Sequence, residues 1–170
     1  MQRYLFQVSV LIGTFIIQIV VVPHINVSGA QPDLILVVVV CFALTEGLIY
    51  GAASGFGGGF LEDLLQAKYM GFNMLIKTVV GAITGIFKDY GPKEGILIPL
   101  VAVFAASVFS QIMMALMAFL FGETVVFKSI FNWLIIPTAL YNVLFTPFIY
   151  PAVVKIVNWQ QKWARLEAPK

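Results

Sequence analysis

The sequence predicts an all-α fold, a polytopic membrane bundle of about six transmembrane helices. Three observations carry that prediction. The chain is 61% hydrophobic and only 11% charged over 170 residues, whereas a soluble domain carries roughly 25% charged residues. Apolar runs recur from Tyr4 to Val154, most of them near the roughly 20 residues that a membrane-spanning helix needs. Glycines stand four apart at 51, 55 and 59 and again at 81 and 85, a spacing that lets helix backbones touch, as helices associating in lipid do. Connections are short and leave no stretch for a soluble lobe, so a single integral membrane domain over residues 1–170 is expected.

The first run, Tyr4–Val22, follows Arg3 and precedes Ser28-Gly29-Ala30, which gives it the look of a secretory leader. Leader cores are about 7–15 residues long. This run is longer, and it reads as a first span. The block from Asp33 to Leu65 would be about 50 Å long as one helix at about 1.5 Å per residue, too long for one crossing. A break at Thr45-Glu46-Gly47 divides it into two short spans, Asp33–Thr45 and Leu48–Leu65, in preference to one span with a re-entrant piece. Phe72–Phe87, Ile96–Phe121 and Ile130–Val154 complete the set, and residues 155–170 form a basic tail with two tryptophans, suited to an interface.

Lysine and arginine placement orients the bundle. With six spans and the N-terminus inside, Arg3, Lys88, Lys93, Lys155, Lys162, Arg165 and Lys170 fall on the inner side, and Lys68 and Lys128 on the outer. Cytoplasmic loops keep such an excess, so both termini are expected in the cytoplasm of a multi-pass protein. The net charge of +2 and the scattered basic residues give no stripe for nucleic acid. A single Cys41 and a single His24 remove an internal disulfide and most zinc motifs.

The stretch GAASGFGGGFLEDLLQAKYMGFN, residues 51–73, concentrates the remaining chemistry. Its glycine run lacks the Gly-Lys-Ser/Thr ending of a phosphate loop, and Phe60 stands where a dinucleotide fingerprint needs its last glycine. Gly51, Gly55 and Gly59 instead make a packing ridge, Gly81 and Gly85 a second, and the spacing leaves open whether each mates within the chain or with a partner. Glu62 and Asp63 are adjacent, so they point about 100° apart on a helix and cannot act as a catalytic dyad. A carboxylate in a bilayer costs at least a few kcal/mol unless paired. The hairpin through Gln66–Met70 returns Lys77 to a comparable depth, making it the partner of one acid while the other faces interfacial water.

Other polar positions have simpler readings. Asp33 after Pro32 suits a helix start. Ser107 and Gln111, four apart, share a face able to bond another helix. Asn142, Pro147 and Pro151 should kink the last span, since each proline removes a backbone hydrogen bond. Ser107, Ser110 and His24 form no nucleophile–base pair, so no enzyme and no cofactor is expected. A transport reading would use the acid–lysine cluster as a coupling site, but the chain shows no clear internal repeat.

QPDLILVVVV, GFGGGFLEDLLQAKYMGFNML and YNVLFTPFIYPAVVKIV, in this order and spacing, resemble the bacterial rod shape-determining MreD family over nearly the whole chain. The matching residues are Gly55, Gly59, Asp63, Gly71, Asn142 and Pro147. The chain departs from the family pattern in the acidic turn at Glu46 and in Glu62 beside Asp63, which makes Asp63 the expected ion-pair member. The resemblance implies a non-enzymatic inner-membrane subunit of the elongation machinery that builds lateral-wall peptidoglycan and maintains cell shape. It further implies a scaffold that binds MreC, a single-span protein, and through it connects with MreB, RodA and the transpeptidase partner of RodA; homodimerisation stays open. The family is also similar to the six-span substrate-binding subunits of energy-coupling-factor vitamin importers, which supplies the alternative of a small-molecule binding subunit.

Overall fold

The structure is a computed structural model that describes residues 2–25, 30–65, 70–89, 95–122 and 134–166. Among these residues it is all-helical, with six α-helices: α1 Gln2–Val21, α2 Leu34–Glu46, α3 Leu48–Asp63, α4 Phe72–Ile86, α5 Leu97–Leu120 and α6 Ile136–Leu166. A 3-10 turn, Val22–Ile25, extends α1.

The helices fall into two kinds. α1 with its 3-10 extension, α5 and α6 have apolar windows long enough to cross a membrane. The helices α2, α3 and α4 contain 13, 16 and 15 residues, or about 20–24 Å at about 1.5 Å per residue, against a hydrocarbon core of roughly 30 Å. Of the short helices only α2 lies wholly in the interior, since α3 and α4 each keep one apolar face exposed, with Ile49 and Phe56 on α3 and Leu75 and Ile83 on α4. Every residue of α2 is buried, as its sequence LILVVVVCFALTE demands, because a helix apolar on all sides has no face to give to water. It touches each of the other five helices. The outer helices keep apolar side chains exposed, among them Ile16 and Val20 on α1, Leu120 on α5 and Phe148 on α6, as a lipid-facing surface would.

The break expected at Thr45-Glu46-Gly47 is present. Gly47 has φ +97°, a left-handed conformation that glycine adopts without a Cβ penalty, and α3 begins one residue later. The two helices then run antiparallel, with Gly51 beside Ala43 and Gly58 beside Ile35 and Val39.

Boundaries otherwise agree within about two residues, except in the last helix. Residues 130–133 of the expected sixth span, and residues 66–69 of the expected hairpin turn, lie outside the described residues. At its other end α6 continues to Leu166, through most of what the sequence suggested was a separate tail. No glycine or proline lies between Ala152 and Leu166 to stop it. Pro147 and Pro151 both sit inside α6. Immediately before Pro147, the Thr146 hydroxyl bonds back to the Asn142 carbonyl at 2.7 Å, a contact that tends to bend helices.

Candidate functional site

The two glycine ridges mate with each other. A Cβ at Gly55 would stand 2.5 Å from the Lys77 carbonyl carbon and 2.8 Å from the Thr78 nitrogen. One at Gly59 would meet the Asn73 oxygen and Met74 nitrogen at 2.5 Å, one at Gly85 would lie 2.5 Å from Leu48 Cα, and Gly51 and Gly81 would each strike the other's backbone. Real side-chain carbons do not approach backbone so closely. All five glycines are therefore used within the α3–α4 pair. Gly58, one position off the ridge, faces Ile35 of α2 and Leu11 of α1 instead.

That geometry decides where the two acids go. Asp63 continues the row 51, 55, 59 by one more turn, so it faces α4. Gly59 already sits against Asn73 and Met74, the first turn of α4, and Asp63 therefore meets the open end of that helix. Its carboxylate accepts the Asn73 backbone N–H at 3.2 Å, the Asn73 side-chain amide at 3.0 Å and the Met74 N–H at 2.9 Å. A carboxylate that caps orphan amides at a helix N-terminus is stabilised by both hydrogen bonds and the helix dipole.

Glu62 continues the row of Gly58 and so turns toward α2 and α1. There it contacts the Lys77 ammonium through Oε2 and accepts a hydrogen bond from Gln18 Nε2 at 2.7 Å through Oε1. The expectation that Asp63 pairs with Lys77 while Glu62 faces water is thus overturned on both counts. Asp63 caps α4, Glu62 holds the lysine, and both are buried. The angular separation of the two acids was sound, but their assignment needed knowledge of which helix lay on which side.

Lys77 has a second carboxylate partner, Asp33, at 2.7 Å. Asp33 does start α2, as the sequence implied, with Oδ1 accepting the Leu36 N–H at 2.8 Å. Its other oxygen takes the lysine. The backbone N–H of Asp33 donates to Asn142 Oδ1 at 2.7 Å, and Asn142 Nδ2 donates to Ser107 Oγ at 2.8 Å. Gln18 closes the other side by accepting the Ile35 N–H at 3.0 Å. A connected polar path thus runs from α1 through α3, α4 and α2 to α6 and α5. Asn142, read from sequence as part of a bent span, is fully buried and joins three helices.

The sequence reading missed Gln18, Asn73 and the ionic role of Asp33. Gln18 carried a signal, as a polar amide within the apolar run TFIIQIVVV. The arrangement offers no nucleophile beside a base, and no group of three potential metal ligands occurs among the described residues. What it does is hold helix ends together through direct side-chain contacts. Replacing Asp63 by alanine should lower stability by about 2 kcal/mol, at the upper end for a lost helix cap. Asp63→Asn should recover part of that loss, because its oxygen still accepts. Unfolding in detergent measures both, and equal losses would contradict the cap.

With the interior accounted for, the comparison with known families is decisive. The family model described as rod shape-determining protein MreD matches residues 2–159. The chain belongs to the MreD family. No curated protein and no solved structure matches it. Membership makes this a rod shape-determining membrane protein, of a family whose role is structural. The matched region takes in the whole polar path from Gln18 to Asn142, so the ion cluster lies inside the family's own domain.

Proposed function

We propose that the protein is a non-enzymatic scaffold of the rod elongation complex. It sits in the inner membrane with both termini in the cytoplasm and holds the single transmembrane helix of MreC, in support of lateral peptidoglycan synthesis. The family match over residues 2–159 carries this reading. The internal geometry agrees with it. Polar groups and glycine ridges are used in fixing the bundle, which leaves the exposed apolar helix faces as the surfaces a partner helix would meet. A vitamin-type carrier would need a pocket with a few converging polar groups, whereas the large groove between α4 and α5 is lined almost wholly by apolar side chains.

Mild-detergent purification from the native host tests the proposal. A single-span MreC protein should co-purify in near-equal amount, and the complex should survive Gly13→Ala, a substitution whose new methyl meets nothing within 4 Å. Purified protein that brings a tightly held vitamin-like molecule and no such partner would sink it.

A further inference from the structure

Between α4 and α5, at the end where α2 meets α3, lies a groove of about 690 Å³. Its long wall runs on α5 from Leu97 to Phe109, and its buried lining residues are Leu44, Val80, Thr84 and Ala106. At about 1.5 Å per residue that wall is roughly 18 Å long. One leaflet of the hydrocarbon core is about 15 Å deep, and a spanning helix would need roughly 30 Å. The groove therefore fits an occupant confined to one leaflet, and an apolar one.

A cation lies close to one end of it. Lys88 follows Phe87, the groove residue just past the end of α4, and is itself exposed. Its ammonium donates to the Glu46 carbonyl at 3.2 Å, which holds it beside the α2–α3 turn, and an ammonium has three donors in all. Asp89 is exposed beside it, so a direct ammonium–phosphate contact, and not a broad positive field, would discriminate at this end.

We propose that this groove is a phospholipid site, with one acyl chain lying between α4 and α5 and the headgroup phosphate on Lys88. The occupant shares a leaflet with the α2–α3 turn and braces α4 against α5. This inference rests on the membrane reading and is independent of MreC binding.

Native mass spectrometry of the full-length protein in mild detergent tests it, with phosphatidylglycerol and a diacylglycerol of the same chains as probes. Wild type should retain one phosphatidylglycerol and hold diacylglycerol more weakly. Lys88→Gln should weaken phosphatidylglycerol binding roughly fivefold, the effect of one lysine near an anionic surface, and leave diacylglycerol unchanged. Ala105→Phe, which fills the groove, should abolish retention of both, and Val101→Phe serves if that variant does not fold. Equal retention of the two probes by wild type, or retained lipid in a folded groove-filling variant, overturns the proposal. So does cross-linking from position 105 to a protein helix instead of lipid.

Discussion

Gly55→Ala should cost about 3 kcal/mol or more, the upper range for overpacking, although it adds a single methyl group. Alanine is the better helix former by about 1 kcal/mol, so propensity alone predicts the opposite sign. The clash wins because the atoms in the way are the carbonyl carbon of Lys77 and the nitrogen of Thr78. Backbone in the middle of a helix cannot swing aside as a side-chain tip can. To admit the methyl, α3 and α4 must separate, and separation would also lift Gly59 from Asn73–Met74 and Asp63 from the amides it caps. Gly59→Ala should behave alike, and Gly13→Ala should be neutral or slightly stabilising. Thermal unfolding in detergent gives the comparison. If Gly55→Ala unfolds at the temperature of Gly13→Ala, the ridge does not mate as described.

Lys77→Met should be at least as damaging, at about 3–5 kcal/mol, the cost of removing one partner from a buried ion pair. The side chain it replaces is 3% exposed and touches both Asp33 and Glu62. Its loss leaves two carboxylates facing each other with no cation between them. Neutralising the acids as well, in Lys77→Met with Asp33→Asn and Glu62→Gln, should recover much of the stability, since buried ion clusters often contribute little over neutral replacements. The triple variant should therefore unfold above the single one. A triple variant less stable than Lys77→Met would mean that the side chain acts through packing and not through charge.

The apolar runs made the helices legible, because in this chain hydropathy and chain length leave few alternatives. The turn at Gly47 was legible too, from a polar pair followed by glycine. What the sequence withheld was azimuth. Gly51, Gly55 and Gly59 announced a close approach but not to what, and without the mate the side of α3 that faces α4 stayed unknown. Once α4 is placed against that ridge, Asp63 must lie on it, four residues beyond Gly59, and Glu62 must lie off it. Asp33 was hidden for a different reason. One carboxylate has two oxygens, and the capping role that its position after Pro32 advertised used only one. Asn142 looked like a companion to Pro147 because both sit in YNVLFTP, whereas its amide works across helices 109 residues from Asp33 in sequence.

The Asp33–Lys77 contact spans 44 positions of sequence, and this sets an order of events during synthesis. At about 5–20 residues per second, the ribosome delivers Lys77 roughly 2–9 s after Asp33, and Glu62 also emerges before its cation. The hairpin of α2 and α3 is therefore made with four acids, Asp33, Glu46, Glu62 and Asp63, and no counter-charge, on helices too short to span alone. Stable insertion of this pair is expected to need α4, which supplies both the ammonium and the glycine face, so an error in α4 should also harm segments already made.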